Sequence, residues 1–320
     1  MDIPTFADVE AARARIRPHI HRTPILTSAH IDGLAGASLF FKCENFQRAG
    51  AFKVRGASNA VFGLADAQAR YGVATHSSGN HALSLSYAAG RRGIPATVVM
   101  PRTAPEAKRA AVRGYGGTVI ACEPSTAARE AALVALVART GADFVHPYND
   151  PRVIAGQATC SWEMIEEVGA LDAVIAPIGG GGMISGCCLA LAALSPDTRI
   201  YAGEPRNADD AHRSLRAGRI IEDDAPDTVA DGLRVGLRER SWHFVSTRVT
   251  DILLASEAEI VAAMRLIWQR MKIVVEPSSA VALAALLAHP EVFRGRRVGV
   301  ILTGGNVDLD RLPWMARDAA

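Results

Sequence analysis

The stretch AVIAPIGGGGMISG at residues 173–186 decides how the rest of this chain is read. It opens with an uninterrupted apolar run closed by Pro177, passes through Gly179, Gly180, Gly181 and Gly182, and continues as an apolar segment that opens a helix. Strand, glycine turn and helix in that order are the repeating unit of a wound α/β sheet. Each glycine forfeits backbone entropy, about 1 kcal/mol against alanine, so four together need a physical reason. Close approach of the main chain to a phosphate supplies one, because the unpaired N–H groups of a helix start and its dipole both favour an anion. A merely structural turn rarely uses four glycines. The spacing is neither G-x-G-x-x-G nor G-x-x-x-x-G-K-[ST], and no suitable lysine follows, so a nucleotide is the weaker candidate for the phosphate carrier.

The same alternation runs outward in both directions. Strands are expected at Gly72–Ser77, Ala96–Met100, Thr118–Cys122, Ala173–Pro177, Arg199–Gly203 and Arg297–Leu302. Amphipathic helices are expected at Asn80–Arg91, Ala104–Arg113, Thr126–Arg139, Ile154–Val168 and Glu257–Met271. The sheets should be mostly parallel. A length of 320 residues exceeds what one hydrophobic core usually supports, and 49% hydrophobic content can fill two. A small lobe is placed at 66–150 and a discontinuous large lobe at 1–65 with 151–320, with PYNDPRV at 147–153 as the crossing between them. There is no internal repeat or low-complexity tract. TGGNVD at 303–308 lies close to Ala320, so any regulation is expected within the two lobes.

Composition narrows the partners. With 35 Lys and Arg against 33 Asp and Glu, and no basic stripe, nucleic acid is not an expected partner. The first twenty residues mix acids and arginines where a signal peptide would be apolar, and no run approaches the ~18 apolar residues of a membrane span. A cytoplasmic protein without membrane contact is expected. Cys43, Cys122, Cys160, Cys187 and Cys188 are odd in number and form no C-x-x-C pair, which suits buried free thiols in a reducing compartment.

Four further segments carry candidate chemistry. In GAFKVRGA at 50–57, Lys53 follows Phe52 at the start of a helix, where partial burial would lower its pKa and free the amine as nucleophile and base, although most lysines are solvated surface charges. In THSSGNHA at 75–82, Ser77, Ser78, Asn80 and His81 follow a strand end and open a helix. Such a turn suits a carboxylate, or is simply an N-cap. Thr303, at the end of the apolar run VGVIL (298–302), could face whatever the glycine loop holds, since ligands of wound sheets gather at those strand ends; alone, it reads as a capped turn. In GEPRNADD at 203–210, Glu204 and Asp210 with an intervening carbonyl offer oxygen ligands to a hard cation, a pattern of low specificity by spacing alone.

Together and in this order, the five segments resemble the pyridoxal-phosphate (PLP) enzymes of the tryptophan-synthase β-like fold, fold type II. Within it they resemble the group of serine racemases, threonine dehydratases and 3-hydroxyaspartate dehydratases. The likeness runs from about Ile3 to Trp314 and takes in CENFQ (43–47), HPYNDP (146–151), IAGQ (154–157), VADGL (229–233) and EPSSA (276–280). It implies a two-lobed α/β fold with wound, mostly parallel sheets flanked by helices.

It also implies that Lys53 carries PLP as a Schiff base, that Phe52 packs against the ring and that Asn80 bonds the ring oxygen. Gly179, Gly180, Gly181 and Gly182 with the Met183 amide would hold the phosphate, and Thr303 would face the pyridine nitrogen. A hydroxyl there cannot keep that nitrogen protonated, which favours fast β-elimination. Ser77, Ser78, Asn80 and His81 would grip the substrate α-carboxylate. Ser78 would act on the cofactor face opposite Lys53, at a position where threonine dehydratases usually have Ala. Glu204, the Ala208 carbonyl and Asp210 match the group's divalent-cation site, for Mg²⁺ or alternatively Ca²⁺ or Mn²⁺. Two positions depart from the racemases: Tyr148 stands where they tend to have Asn, and Thr303 where Ser is more frequent.

The wording of HSSGNHA, HPYNDPRVIAGQ and APIGGGGMISG most resembles bacterial hydroxyaspartate dehydratases. The expected reaction is therefore dehydration and deamination of 3-hydroxyaspartate to iminosuccinate or oxaloacetate plus ammonia. Arg129, matching a pocket arginine of the racemases, is the candidate for the second carboxylate. Serine racemase or serine dehydratase, threonine dehydratase and a non-catalytic PLP-binding protein are the alternatives, and a homodimer is expected because the group is usually dimeric.

Overall fold

The computed structural model describes residues 1–223 and 226–315. Among the described residues there are ten strands: β1 Ile25–Leu26, β2 Ser38–Cys43, β3 Val73–His76, β4 Ala96–Pro101, β5 Thr118–Cys122, β6 Asp143–Phe144, β7 Ala173–Pro177, β8 Arg199–Pro205, β9 Asp251–Ala255 and β10 Arg297–Leu302. They make a six-stranded sheet ordered β1-β2-β10-β7-β8-β9 and a four-stranded sheet ordered β5-β4-β3-β6. Only β1 with β2 is antiparallel; every other pairing is parallel. Val298 of β10 pairs with Leu39 of β2 on one side and Ala173 of β7 on the other. Helices cover both faces, which is why central strands such as β7 are apolar and buried at every position instead of alternating. The helices Gly182–Leu194 and Pro277–Ala288 are likewise apolar nearly all round, as buried helices are.

The expected strands are present with boundaries within two residues. β8 runs on to Pro205 and so carries Glu204 at its end. The helix expected from Ile154 starts at Pro151, inside the stretch read as a crossing, because the Asp150 carboxylate accepts from the Arg152 amide and proline fits the first helical position. β1, β2, β6 and β9 were not among the strands expected, and Lys42 of β2 is fully buried.

Three features join the sheets around the Lys53–Phe62 helix. Its Ala57, Ala60 and Val61 pack with Val73, Leu85 and Ala88 of the four-stranded body. Its Gly56 faces Gly156 of the Pro151–Val168 helix so closely that a Cβ on Gly156 would lie 2.6 Å from the Gly56 Cα. One residue back, Arg55 is fully buried and bonds Glu44 at 2.7 Å and Glu163 at 2.8 Å, and Lys42 reaches Glu163 at 2.7 Å. Burial alone would raise the Glu163 pKa, but Arg55 and Lys42 hold it below the ordinary value. Farther out, Lys108 of the Glu106–Gly114 helix meets Asp231 at 2.7 Å across the gap between the two sheets. All five cysteines are free and buried, as expected. Among the described residues no helix is long and apolar enough to cross a membrane.

Candidate active site

β10 ends where Thr303 begins a turn that ties together three distant parts of the chain. The Phe52 amide donates to the Thr303 carbonyl at 3.0 Å, the Glu276 amide to the Gly304 carbonyl at 3.0 Å and the Gly305 amide to the Gly50 carbonyl at 2.9 Å. Ala51 and Gly304 form an isolated bridge. Lys53, the first residue of its helix, is thereby fixed beside the Thr303 strand end. Its Nζ donates to the Pro147 carbonyl at 2.9 Å and lies 5.1 Å from the Phe52 ring centre and 6.0 Å from that of Tyr148. Burial of the amine lowers its pKa to about 8, against a smaller opposing pull from Glu276.

Tyr148 connects Lys53 to the glycine loop. A Cβ on Gly180 would lie 2.6 Å from the Tyr148 ring, one on Gly182 2.8 Å from the Tyr148 Cβ, and one on Gly179 2.8 Å from the Leu233 Cα. Gly181 adopts φ 81°, the left-handed region, and caps the Gly182–Leu194 helix without a side-chain hydrogen bond, so among the described residues no side-chain cap takes up the first-turn amides, which include that of Met183. These close approaches explain the four glycines.

The Ser77–His81 turn links β3 to the Asn80–Arg92 helix. Gly79 caps that helix without a side-chain bond, and its amide donates to Ser77 Oγ at 3.3 Å. Ser77 and Ser78 are partly exposed there. The His81 ring turns away to the Val145 carbonyl at 3.1 Å. Since a carbonyl only accepts, Nε2 carries the proton, and burial followed by the Lys53 charge keeps the ring neutral. Asn80 is held at both ends: its Nδ2 donates to Glu276 Oε1 at 2.8 Å, and its Oδ1 accepts from Asn306 Nδ2 at 2.9 Å. Asn306 Nδ2 also donates to the Ala49 carbonyl at 2.8 Å, in a turn where Ala49 has φ 55° and Gly50 φ 72°. Glu276 is a site residue that reading the sequence did not single out; burial, then the charge of Asp231, raises its carboxyl to about 8. Its only sequence signal was the EPSSA wording.

Arg129, on the Thr126–Thr140 helix, lies near His76 and Tyr148 and acts on the pKa of both. The candidate cation ligands stand apart from Lys53 at the end of β8. Glu204 accepts from the Ala211 and His212 amides at 2.9 and 2.8 Å, leaving a second lone pair on each oxygen. Asp210 Oδ2 is buried without a hydrogen-bond partner. Burial and then the charge of Asp210 push Glu204 up, and burial, then Asp223 and Asp209 against the opposing pull of Asp210's own backbone amide and Arg213, raises Asp210 to about 7. Among the described residues there is no cluster of three or more His, Cys, Asp or Glu suited to a metal; this set has two carboxylates and a main-chain carbonyl.

A sequence model of the family described as "Pyridoxal-phosphate dependent enzyme" matches residues 16–304. The chain is 66% identical over 314 residues to a "beta-hydroxyaspartate dehydratase" of Paracoccus denitrificans (strain Pd 1222), covering 98% of this chain and 100% of that protein. It is 47% identical to a serine racemase of Oryza sativa subsp. indica, covering 94% and 90%. The solved structure of maize serine racemase superposes with a TM-score of 0.94 at 44% identity, covering 97% of this chain and 95% of that one.

Proposed function

This chain belongs to the pyridoxal-phosphate-dependent enzymes, and on that ground we propose that it removes water and then ammonia from 3-hydroxyaspartate. The observation that carries the substrate is the near full-length likeness to the β-hydroxyaspartate dehydratase. Loss of water gives iminosuccinate, whose hydrolysis gives oxaloacetate and ammonia.

The residues fit the cofactor. The uncapped first turn after Gly181 offers amides to an anion, and the missing side chains at 179–182 let the loop lie directly against Tyr148, Leu233 and Ser241. In this reading Gly179, Gly180, Gly181, Gly182 and the Met183 amide would hold the phosphate, Phe52 would pack against the ring, Thr303 would face the pyridine nitrogen and Asn80 would bond the ring oxygen. When bound to Lys53, PLP supplies an electron sink for the bonds at the substrate α-carbon.

Once the substrate amine has taken its place on the cofactor, the freed Lys53 would take the α-proton on Nζ. Its lowered pKa makes the neutral amine available near neutral pH, and the Pro147 carbonyl keeps it oriented. Ser77, Ser78 and the amides opening the Asn80–Arg92 helix hold the α-carboxylate, with His81 contributing through its backbone. The Ser78 hydroxyl serves the opposite face, where proton return would racemise the substrate. The unpartnered Asp210 Oδ2 beside a second buried carboxylate supports a Mg²⁺-class cation at Glu204, Asp210 and the Ala208 carbonyl. It would neutralise charges that otherwise repel. The lobe division at 66–150, a homodimer and a cytoplasmic location complete the reading.

The test is turnover of the purified holoenzyme on the stereoisomers of 3-hydroxyaspartate, L-serine, D-serine and L-threonine, with and without Mg²⁺. The highest kcat/KM is expected for one hydroxyaspartate isomer with oxaloacetate and ammonia accumulating. A higher value for serine or threonine would overturn the substrate assignment.

A further inference from the structure

The charges that act on His76, His146 and Tyr148 are mainly positive, and one of the arginines among them has no place in the reading so far. Tyr148 packs its ring on Gly180 and Gly182, and its hydroxyl and the Arg238 side chain stand close enough for each to act on the other's pKa. Arg238 is itself well placed. Its amide donates to Ser241 Oγ at 3.0 Å, that hydroxyl lies 3.0 Å from the Arg238 carbonyl, and Ser241 packs on Gly181, where a Cβ would lie 2.7 Å from its own. The backbone that carries Arg238 is thus anchored on the glycine loop while its guanidinium reaches Tyr148, whose ring centre is 6.0 Å from Lys53 Nζ.

The charges facing this point are unequal. His76 and His146 stand beside it with ring centres 5.9 Å apart, and His146 meets the Tyr148 ring edge-on at 4.6 Å. Burial first, then His76, Lys53, Arg238 and Arg240, pushes His146 down to about 3, so the histidines add no charge of their own but register a positive field. Arg129 adds to that field at His76. Against it stand Glu130, which also acts on His76 and Arg238, Asp210, which acts on Tyr148, and Glu222. Glu222 approaches Arg238 only to 3.9 Å and its side chain is 73% exposed, a contact that water and salt screen. A planar guanidinium with one neutral hydroxyl and one loose carboxylate beside it retains donors for a second, well-aligned carboxylate.

We propose that Arg238, positioned by the Tyr148 hydroxyl, binds the second carboxylate of a dicarboxylic substrate and sets the preference of this site for it over serine. The proposal rests on the 3-hydroxyaspartate reading above and adds Arg238 beside Arg129, the candidate that the resemblance implied for the same carboxylate, both of which act on Tyr148. Ser241 and the glycine loop fix where that carboxylate sits relative to Lys53. Tyr148, in a position where related racemases tend to have Asn, gains a reason: it carries the hydroxyl that orients the arginine.

The test uses Arg238→Met, Arg238→Lys and Tyr148→Phe holoenzymes. The ratio of kcat/KM for 3-hydroxyaspartate to that for L-serine should fall at least about tenfold in Arg238→Met, the worth of one lost charge-assisted contact, ~1.4 kcal/mol. The fall should come chiefly through KM. Arg238→Lys should fall less, and Tyr148→Phe should shift the ratio in the same direction by a smaller factor. Malonate should inhibit serine turnover competitively, and its Ki should rise at least about tenfold in Arg238→Met while that of acetate rises far less. An unchanged substrate ratio and unchanged malonate Ki in a variant that keeps the parent melting temperature overturn the assignment to Arg238. If the parent enzyme turns over serine but no hydroxyaspartate isomer, the substrate reading fails instead, and malonate competition still decides Arg238.

Discussion

An exposed lysine is protonated at neutral pH and a poor nucleophile, so the burial that brings Lys53 to about 8 determines when it can react. In the cofactor-free protein, the rate at which Lys53 captures PLP should rise with pH through about 8 and level off above it, as the neutral amine becomes the main form. Stopped-flow absorbance across pH 6 to 10 reads this, and Lys53→Ala should show no capture and no turnover. Glu276 is the counterpart. Its folded pKa of about 8 lies above the ordinary carboxyl value of 4.5, so above pH 4.5 the unfolded chain releases a proton that the folded one retains until about 8. Folding is therefore penalised increasingly between those values and fully above them. Glu276→Gln should raise the stability of the cofactor-free protein at pH 8.5, by roughly a few kcal/mol, with the gain vanishing toward pH 4.5. Melting curves of both proteins at several pH values would show a pH-independent difference if this is wrong. Glu276 was hidden in the sequence because a glutamate before proline at a helix start is also an ordinary cap. Its meaning comes from Asn80, which only folding brings within 2.8 Å.

At the scale of elements, the Lys53–Phe62 helix is positioned by the absence of side chains. Gly56 and Gly156 allow two helix backbones to touch, and a methyl on Gly156 would meet both the Gly56 Cα and the Arg55 carbonyl. Gly156→Ala should destabilise the protein by about 1–3 kcal/mol, the usual cost of overpacking. Because the separated helix carries Lys53, PLP should also dissociate faster; urea melts and dialysis against a carbonyl reagent measure the two effects. The sequence announced the glycine loop at 179–182 because four consecutive glycines are costly whatever surrounds them. It was silent on Gly156, a single glycine in a helical stretch, because one such residue is tolerated for many reasons. The same limit hid Lys42, Glu44, Arg55 and Glu163, four charges that make sense only once their two strands of evidence, burial and pairing, are both in view.

For the whole molecule, local periodicity was enough to find most strands and to expect parallel pairing, because buried parallel strands are unbroken apolar runs. It could not place β2 beside β10, since neither run names its neighbour across the length of the chain. Nor could it link Tyr148 to Arg238, which meet only because both segments close on the glycine loop.

The buried thiols are distributed unevenly between the two sheets. Cys122 lies with Val99, Leu133 and Leu136 around the four-stranded sheet, whereas Cys43, Cys160, Cys187 and Cys188 lie in the cores around the six-stranded one. In the native protein a thiol-specific reagent should find little to attack, and oxidants should leave the enzyme active. Under mild urea, the order of modification becomes a record of which body opens first. Labelling of Cys122 ahead of the other four, read by peptide mass mapping, would mean that the β3–β6 body unfolds while the remainder stays closed. Simultaneous labelling of all five would mean that the shared Lys53 helix makes the chain unfold as one unit.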